Sequence, residues 1–202
     1  AFNAGEDIHT FTASLVFGLP LDQVDKVQRH QAKAINFGII YGQQAYGLSQ
    51  ELGIEVKEAL DFIEAYFIRY PKVLDFINSC IAHTRKTGKS VTMIGREREI
   101  PEIHSSNATI RAAAERLAIN TPLQGSAADL IKLAMLEIDK ILTEKKMESK
   151  MVLQIHDELI FEAPDHELDE LKKLVKKTME GVFSLKIPLV VDVDIGKNWA
   201  EV

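Results

Sequence analysis

Apolar residues recur at three- and four-residue intervals through the first part of the chain, and the recurrence predicts a run of helices. Residues 6–17 follow this pattern up to a break at Gly18-Leu19-Pro20. Asp25, with Gln28 three residues on, has the form of a capping box. The helix it starts is expected to reach about Gly38, with a further turn or helix through Leu52. Residues 55–69 and 72–86 read as two amphipathic helices separated at Tyr70-Pro71. Ser90 to Ile94 and Glu99 to Ile100 predict a short hairpin around Gly95.

A long helical stretch follows over about 108–142, with a break expected near Pro122 and Ser126 with Asp129 as a cap for its second half. Leu130, Ile131, Ala134, Ile138, Ile141 and Leu142 then share one buried face. At Met151 the period changes to two. Leu153, Ile155, Leu159 and Phe161 predict two strands joined tightly at His156-Asp157. A helix at 166–182 turns Leu168, Leu171, Val175 and Val182 inward, and Val191 to Ile195 alternates as a half-exposed strand. Helices first, then helix, strand, strand, helix, strand: this order predicts an α+β protein with a helical lobe and a small antiparallel sheet. Three strands make a thin sheet, one that lacks a partner strand. The lobes divide near residue 88, giving 1–88 and 89–202.

With 202 residues, 46% of them hydrophobic, the chain can bury a sizeable core. No apolar run approaches the roughly 20 residues that cross a bilayer, and no signal peptide is evident, so no membrane role and a cytoplasmic location are expected. The single cysteine, Cys80, excludes an internal disulfide framework and a cysteine-rich zinc site; its spacing with Phe76 and Ile77 suits a core thiol. A net charge of −6 argues by itself against nucleic acid. Its distribution matters more. Lys26, Arg29 and Lys33 form one basic cluster, and Arg85, Lys86, Lys89, Arg96 and Arg98 form another against a single acid, Glu97.

Arg29, Lys33, Phe37 and Tyr41 are spaced by four, so on a helix they form a slowly drifting stripe of two cations and then two aromatics. Cations neutralise phosphates, and rings offer flat surface to a sugar and base. Spacing alone also admits surface cations followed by ordinary core aromatics.

The full string, Arg29 through Gly42, meets the pattern R-x-x-x-K-x-x-x-F-x-x-x-Y-G and resembles motif B, the fingers helix of family A DNA polymerases, here of the bacterial type. That resemblance implies that Arg29 and Lys33 hold the incoming dNTP, Phe37 meets its sugar, and Tyr41 sits at the templating position. Asp7-Ile8-His9-Thr10 also matches, which adds His9 as a phosphate contact. Arg116 through Asp129 looks like another stretch of the family, implying DNA contacts by Arg116, Asn120 and Gln124, with Asn and Gln suited to minor-groove edges. Gln154-Ile155-His156-Asp157-Glu158 resembles motif C. There Asp157 is the implied catalytic Mg²⁺ ligand, Glu158 an accessory carboxylate, and His156 a primer contact or support for the turn. Lys33 counts as catalytic too.

The resemblance extends along essentially all 202 residues, to Asn198-Trp199. It implies an α+β fold of a helical fingers lobe and an incomplete palm, acting on a DNA primer-template in replication and repair by a two-metal mechanism. One departure is large. The family's second catalytic aspartate, in motif A, is expected before Ala1; Asp129, Asp192 and Asp194 lack that motif's surroundings. The chain is accordingly expected to be a C-terminal piece, inactive alone, that needs the missing N-terminal part of the polymerase and self-associates without it. A non-catalytic nucleotide- and nucleic-acid-binding module is the alternative. A metal-dependent phosphohydrolase built on His156-Asp157 would need further histidines, and no matching arrangement is present.

Overall fold

In a computed structural model of the chain, which describes residues 2–198 and 201, side-chain caps set where the first helices begin. Trp199 lies outside the described residues. Asp7 caps α1 (Ile8–Phe17), and the expected box of Asp25 and Gln28 opens α2 (Lys26–Ile40). α2 runs two residues past the predicted end and stops at Tyr41. Next come α3 (Ala45–Leu52), α4 (Val56–Arg69) and α5 (Pro71–Thr87), the last starting on a proline whose missing N–H costs nothing at a first helical position. The hairpin pairs β1 (Lys89–Val91) with β2 (Glu97–Glu99).

Two compact units divide at residue 125, inside a single helix, α6 (Ala108–Lys145). In the first unit, Ile35, Ile39, Leu48, Ala59 and Tyr66 form the main core, and Ile100, Ile103, Ala114 and Ala118 a second one. Each fully buried isoleucine or leucine contributes about 1.5–3 kcal/mol. Val27, at the start of α2, is 66% exposed and takes no part in that core. Cys80 is half-buried, and burial pushes its thiol pKa up.

The expected break at Pro122 does not occur. Pro122 lacks an N–H, so the Ala118 carbonyl four residues back loses its usual partner. Ser90, buried in the hairpin, donates its hydroxyl to that carbonyl at 3.0 Å. Arg96 Nη2 donates to the Gly125 carbonyl at 3.3 Å. With the carbonyl that the proline orphans served from the hairpin, the helix continues. Ser126 and Asp129 are therefore buried within it rather than capping a second one.

In the second unit, β3 (Lys150–Ile155) and β4 (Glu158–Glu162) form an antiparallel pair, followed by α7 (Leu168–Gly181). Its core is Ile138, Leu142, Leu171 and Val175, with Met151, Leu159 and Phe161 packed against it. A bulge between Met151 and Leu153 shifts the register, so Met151 pairs with Phe161 but Leu153 with Ile160. Leu153 is thereby moved off the core face and is 47% exposed, against the simple alternation. Residues 191–195 form no strand. Val191 spends its backbone on side chains instead: its N–H donates to Glu180 Oε1 at 3.1 Å and its carbonyl accepts from Lys176 Nζ. A segment whose backbone groups are satisfied this way needs no ladder partner there.

Ser90→Ala is expected to destabilise the chain by about 1–3 kcal/mol in urea unfolding, because it orphans a buried carbonyl. In a Pro122→Ala background, where the helix regains its own donor, the same change is expected to cost under about 0.5 kcal/mol. Equal costs in the two backgrounds would show that Ser90 does not serve the proline gap.

Candidate functional site

Asp7 does two jobs with one carboxylate. Oδ1 accepts from the backbone N–H groups of His9 at 3.0 Å and Thr10 at 3.2 Å, capping α1. Oδ2 accepts from Thr10 Oγ1 at 2.9 Å and from Arg29 Nε of α2 at 2.6 Å. The Arg29 guanidinium, helped by the Thr10 and His9 donors and opposed by partial burial, holds the Asp7 carboxyl well below the usual carboxylate range. Between the same two helices Asn36 is buried, with Nδ2 2.8 Å from His9 Nδ1 and 3.4 Å from the Ile8 carbonyl. The Thr12 hydroxyl lies 2.9 Å from Asn36 Oδ1 and 2.9 Å from that carbonyl, so its single proton goes to one of them. Burial, then the positive charges of Arg29 and Lys33, push the His9 pKa down, against an opposing pull from Asp7.

The four-residue stripe forms as the spacing predicts. Lys33 Nζ lies 6.0 Å from the Phe37 ring centre, and Phe37 stacks on Tyr41 at 6.1 Å with 18° between planes. His9 reaches the same ring at 6.0 Å. Phe37 is 43% exposed, which removes the reading of it as an ordinary core aromatic. His9, Arg29, Lys33, Phe37 and Tyr41 therefore share one surface, cationic at one end and aromatic at the other.

At the aromatic end the chain turns at Gly42, with φ +80°. A Cβ there would stand 3.2 Å from Ile119 Cδ1 and 3.4 Å from Arg116 Cγ, so the glycine lets the end of α2 settle against α6 at Arg116. Gly38 serves likewise: a Cβ would overlap the Gln43 side chain, whose Nε2 donates to Glu51 at 2.9 Å. Arg116, Asn120 and Gln124 follow one another at single-turn intervals along the unbroken α6. Arg116 and Gln124 are exposed, while Asn120 Oδ1 is buried without a hydrogen-bond partner among the described residues. The second basic cluster is largely occupied within the protein: Arg85 pairs with Glu115 and Lys89 with Glu97, each at 2.6 Å.

In the second unit, His156 and Asp157 form the two-residue turn between β3 and β4. His156 takes φ +53°, a left-handed conformation that costs a non-glycine residue about 1–2 kcal/mol. Gln154 Nε2 donates to the His156 carbonyl at 3.0 Å and steadies the turn. His156, Asp157 and Glu158 are all exposed at its tip. A carboxylate on a rigid turn, with oxygen donors free to solvent, has the chemistry a Mg²⁺ ion needs, but it supplies only part of an octahedral set.

Sequence reasoning missed two features. Asn36 was legible as a polar residue beside Ile35 on a buried face. Glu148, His166 and Glu167 also gather within metal-ligand range. There Glu167 accepts from Ser149 Oγ at 2.5 Å and from the Glu148 N–H at 3.0 Å, which makes it a clip on the α6–β3 turn.

The family model for DNA polymerase family A matches residues 1–201. DNA polymerase I of Mycobacterium bovis is 47% identical over 199 residues, 98% of this chain and 22% of that protein. The Caldicellulosiruptor bescii enzyme of the same name is 47% identical over 201 residues, 100% of this chain and 24% of that protein. The chain thus spans less than a quarter of the length of these curated relatives. A solved structure of the POL domain of Pol1 from M. smegmatis, in complex with DNA primer-template and dNTP, matches at a TM-score of 0.88 and 44% identity. That match covers 94% of this chain and 33% of the other.

Asp7→Asn keeps a good helix cap but removes the charge from Arg29. At pH 7 it is expected to cost about 0.5–1 kcal/mol, since both partners are more than two-fifths exposed. The folded carboxyl titrates below its unfolded value of 3.8, so its contribution is complete above about pH 5 and declines as pH falls further. Urea midpoints of the two proteins are expected to converge as pH drops from 5 towards 2. A constant gap would show that the ion pair is not the source.

Proposed function

Because the chain belongs to DNA polymerase family A, we propose that residues 1–88 form the helical fingers of a template-directed DNA polymerase, and residues 89–202 the remaining fingers hairpin and part of the palm. The reaction is nucleotidyl transfer: the primer 3′ oxygen bonds to the α-phosphorus of a dNTP and pyrophosphate leaves. The observation that carries this reading is the α2 surface, where Arg29, Lys33 and His9 gather beside the exposed Phe37 and its stacked neighbour Tyr41. Lys33, Arg29 and His9 receive the triphosphate, Phe37 walls its sugar, and Tyr41 stands beside the nascent pair. Arg116, next to the α2 terminus, grips a DNA phosphate. Asn120 and Gln124 test the minor-groove edges.

Asp157 would hold Mg²⁺, with Glu158 as an accessory carboxylate, while His156 contacts the primer. The metal, when bound, neutralises phosphate oxygens and eases ionisation of the attacking hydroxyl. Two-metal chemistry needs a second rigid acid, and neither Asp129, buried in α6, nor the exposed Asp192 and Asp194 stands on a comparable turn. These 202 residues alone therefore bind nucleotide and DNA without extending a primer, and their exposed Val152, Leu153 and Val190 promote self-association. No helix among the described residues is long and apolar enough to cross a membrane.

With Mg²⁺, dNTPs and primer-template, the purified chain is expected to give no extension. Template-dependent extension abolished by Asp157→Ala would overturn that expectation.

In a full-length family A polymerase that carries these 202 residues, Lys33 and Phe37 are expected to fail differently. Lys33→Ala removes charge from a triphosphate whose leaving group gains charge as the bond breaks, costing about 2–4 kcal/mol across binding and chemistry. Phe37→Ala loosens sugar discrimination and leaves the response to phosphate analogues nearly intact. Single-nucleotide incorporation with dNTP, ddNTP and a β,γ-modified triphosphate separates the two. Equal losses against all three substrates would mean the stripe supports the fold instead.

A further inference from the structure

Asn36 touches no surface on which a nucleotide could sit, yet its amide meets the ring of a residue that does. It is 2% exposed, and its Nδ2 has two neighbours, His9 Nδ1 at 2.8 Å and the Ile8 carbonyl at 3.4 Å. The two amide hydrogens match those two acceptors. A reversed amide would set its oxygen against the Ile8 carbonyl oxygen, so the carbonyl fixes which way the side chain faces. His9 Nδ1 must then accept, and the neutral ring carries its proton on Nε2.

We infer that Asn36 is a positioning residue for nucleotide binding: it holds His9 in the neutral Nε2–H form and so presents a fixed N–H donor to the triphosphate. The inference rests on the reading of His9 as a phosphate contact. Protonating Nδ1 would place two donors 2.8 Å apart, so the same bond resists ionisation of the ring. The charged groups facing His9 are Asp7, Arg29 and Lys33; burial and the two cations also favour the neutral form, and Asp7 opposes them. A neutral donor keeps its strength across the pH range in which a free imidazole would change charge. The positive charge for the phosphates is left to Arg29 and Lys33.

The test uses the 202-residue chain with ¹⁵N-labelled histidine, and Mg-dATP as the probe. Long-range ¹H–¹⁵N spectra at pH 7 are expected to show His9 as the Nε2–H tautomer. In Asn36→Ala a mixture of tautomers is expected, and in Asn36→Asp a ring protonated on both nitrogens that titrates at higher pH. An Nδ1–H tautomer in the unaltered chain would overturn the proposal. For affinity, His9→Ala is expected to weaken Mg-dATP binding several-fold, Asn36→Ala to weaken it less, and the double variant to match His9→Ala. If Asn36→Ala cost the same factor in the His9→Ala background, Asn36 would be acting through the fold and the proposal alone would fall. Unchanged binding in His9→Ala would overturn the phosphate role of His9, and the proposal with it.

Discussion

The buried amide between α1 and α2 is the constraint on which the rest of the surface depends. An amide taken out of water without partners costs about 1–3 kcal/mol. Asn36 has a partner for each of its polar groups only when Ile8, His9 and Thr12 of α1 stand opposite it. One register of the two helices satisfies it, and a slip of a single turn would leave it orphaned. That register also brings the Asp7 cap within reach of Arg29. Apolar contacts supply most of the attraction between the helices, while the polar ones select how they meet.

A similar logic operates in α6. A proline in mid-helix is tolerated because the missing donor is supplied from outside, by Ser90 of the hairpin. The gap and its filler lie 32 residues apart in sequence, so neither explains itself without the other. Because the helix stays whole, Arg116, Asn120 and Gln124 hold single-turn spacing on a rigid element, and the end of α2 at Gly42 has a fixed surface to rest against. The hairpin thus acts at a distance on residues it does not contain.

This explains what was legible in the sequence and what was not. The capping box at Asp25, the stripe from Arg29 to Tyr41 and the turn at His156-Asp157 rest on local spacing, and each formed as the spacing predicts. Pro122 misled because helix continuity there depends on a donor from another element. The alternation through Leu153 misled because a bulge changes its face, and a bulge leaves no mark in a run of apolar residues. Residues 191–195 alternate as a strand would, but Lys176 and Glu180 take the backbone of Val191 first. Asn36 was passed over because its partners come from a helix 24 to 28 residues away.

On the proposed function, the placement of charge reconciles a chain of net charge −6 with a polyanionic ligand. Clustered cations repel one another unless a counter-ion sits among them. Asp7 is that counter-ion for Arg29, and the pair remains substantially exposed, with side chains 46% and 41% accessible. An exposed pair contributes little, roughly 0–1 kcal/mol, so a triphosphate can compete for the guanidinium without a large penalty. Lys33 and the neutral donor of His9 stand on the same surface and add attraction that Asp7 does not oppose as directly. On that reading, the arrangement holds the cationic end together when no phosphate is present and would give way when one arrives. A permanently buried ion pair would forbid that exchange, because stripping one partner from it costs several kcal/mol.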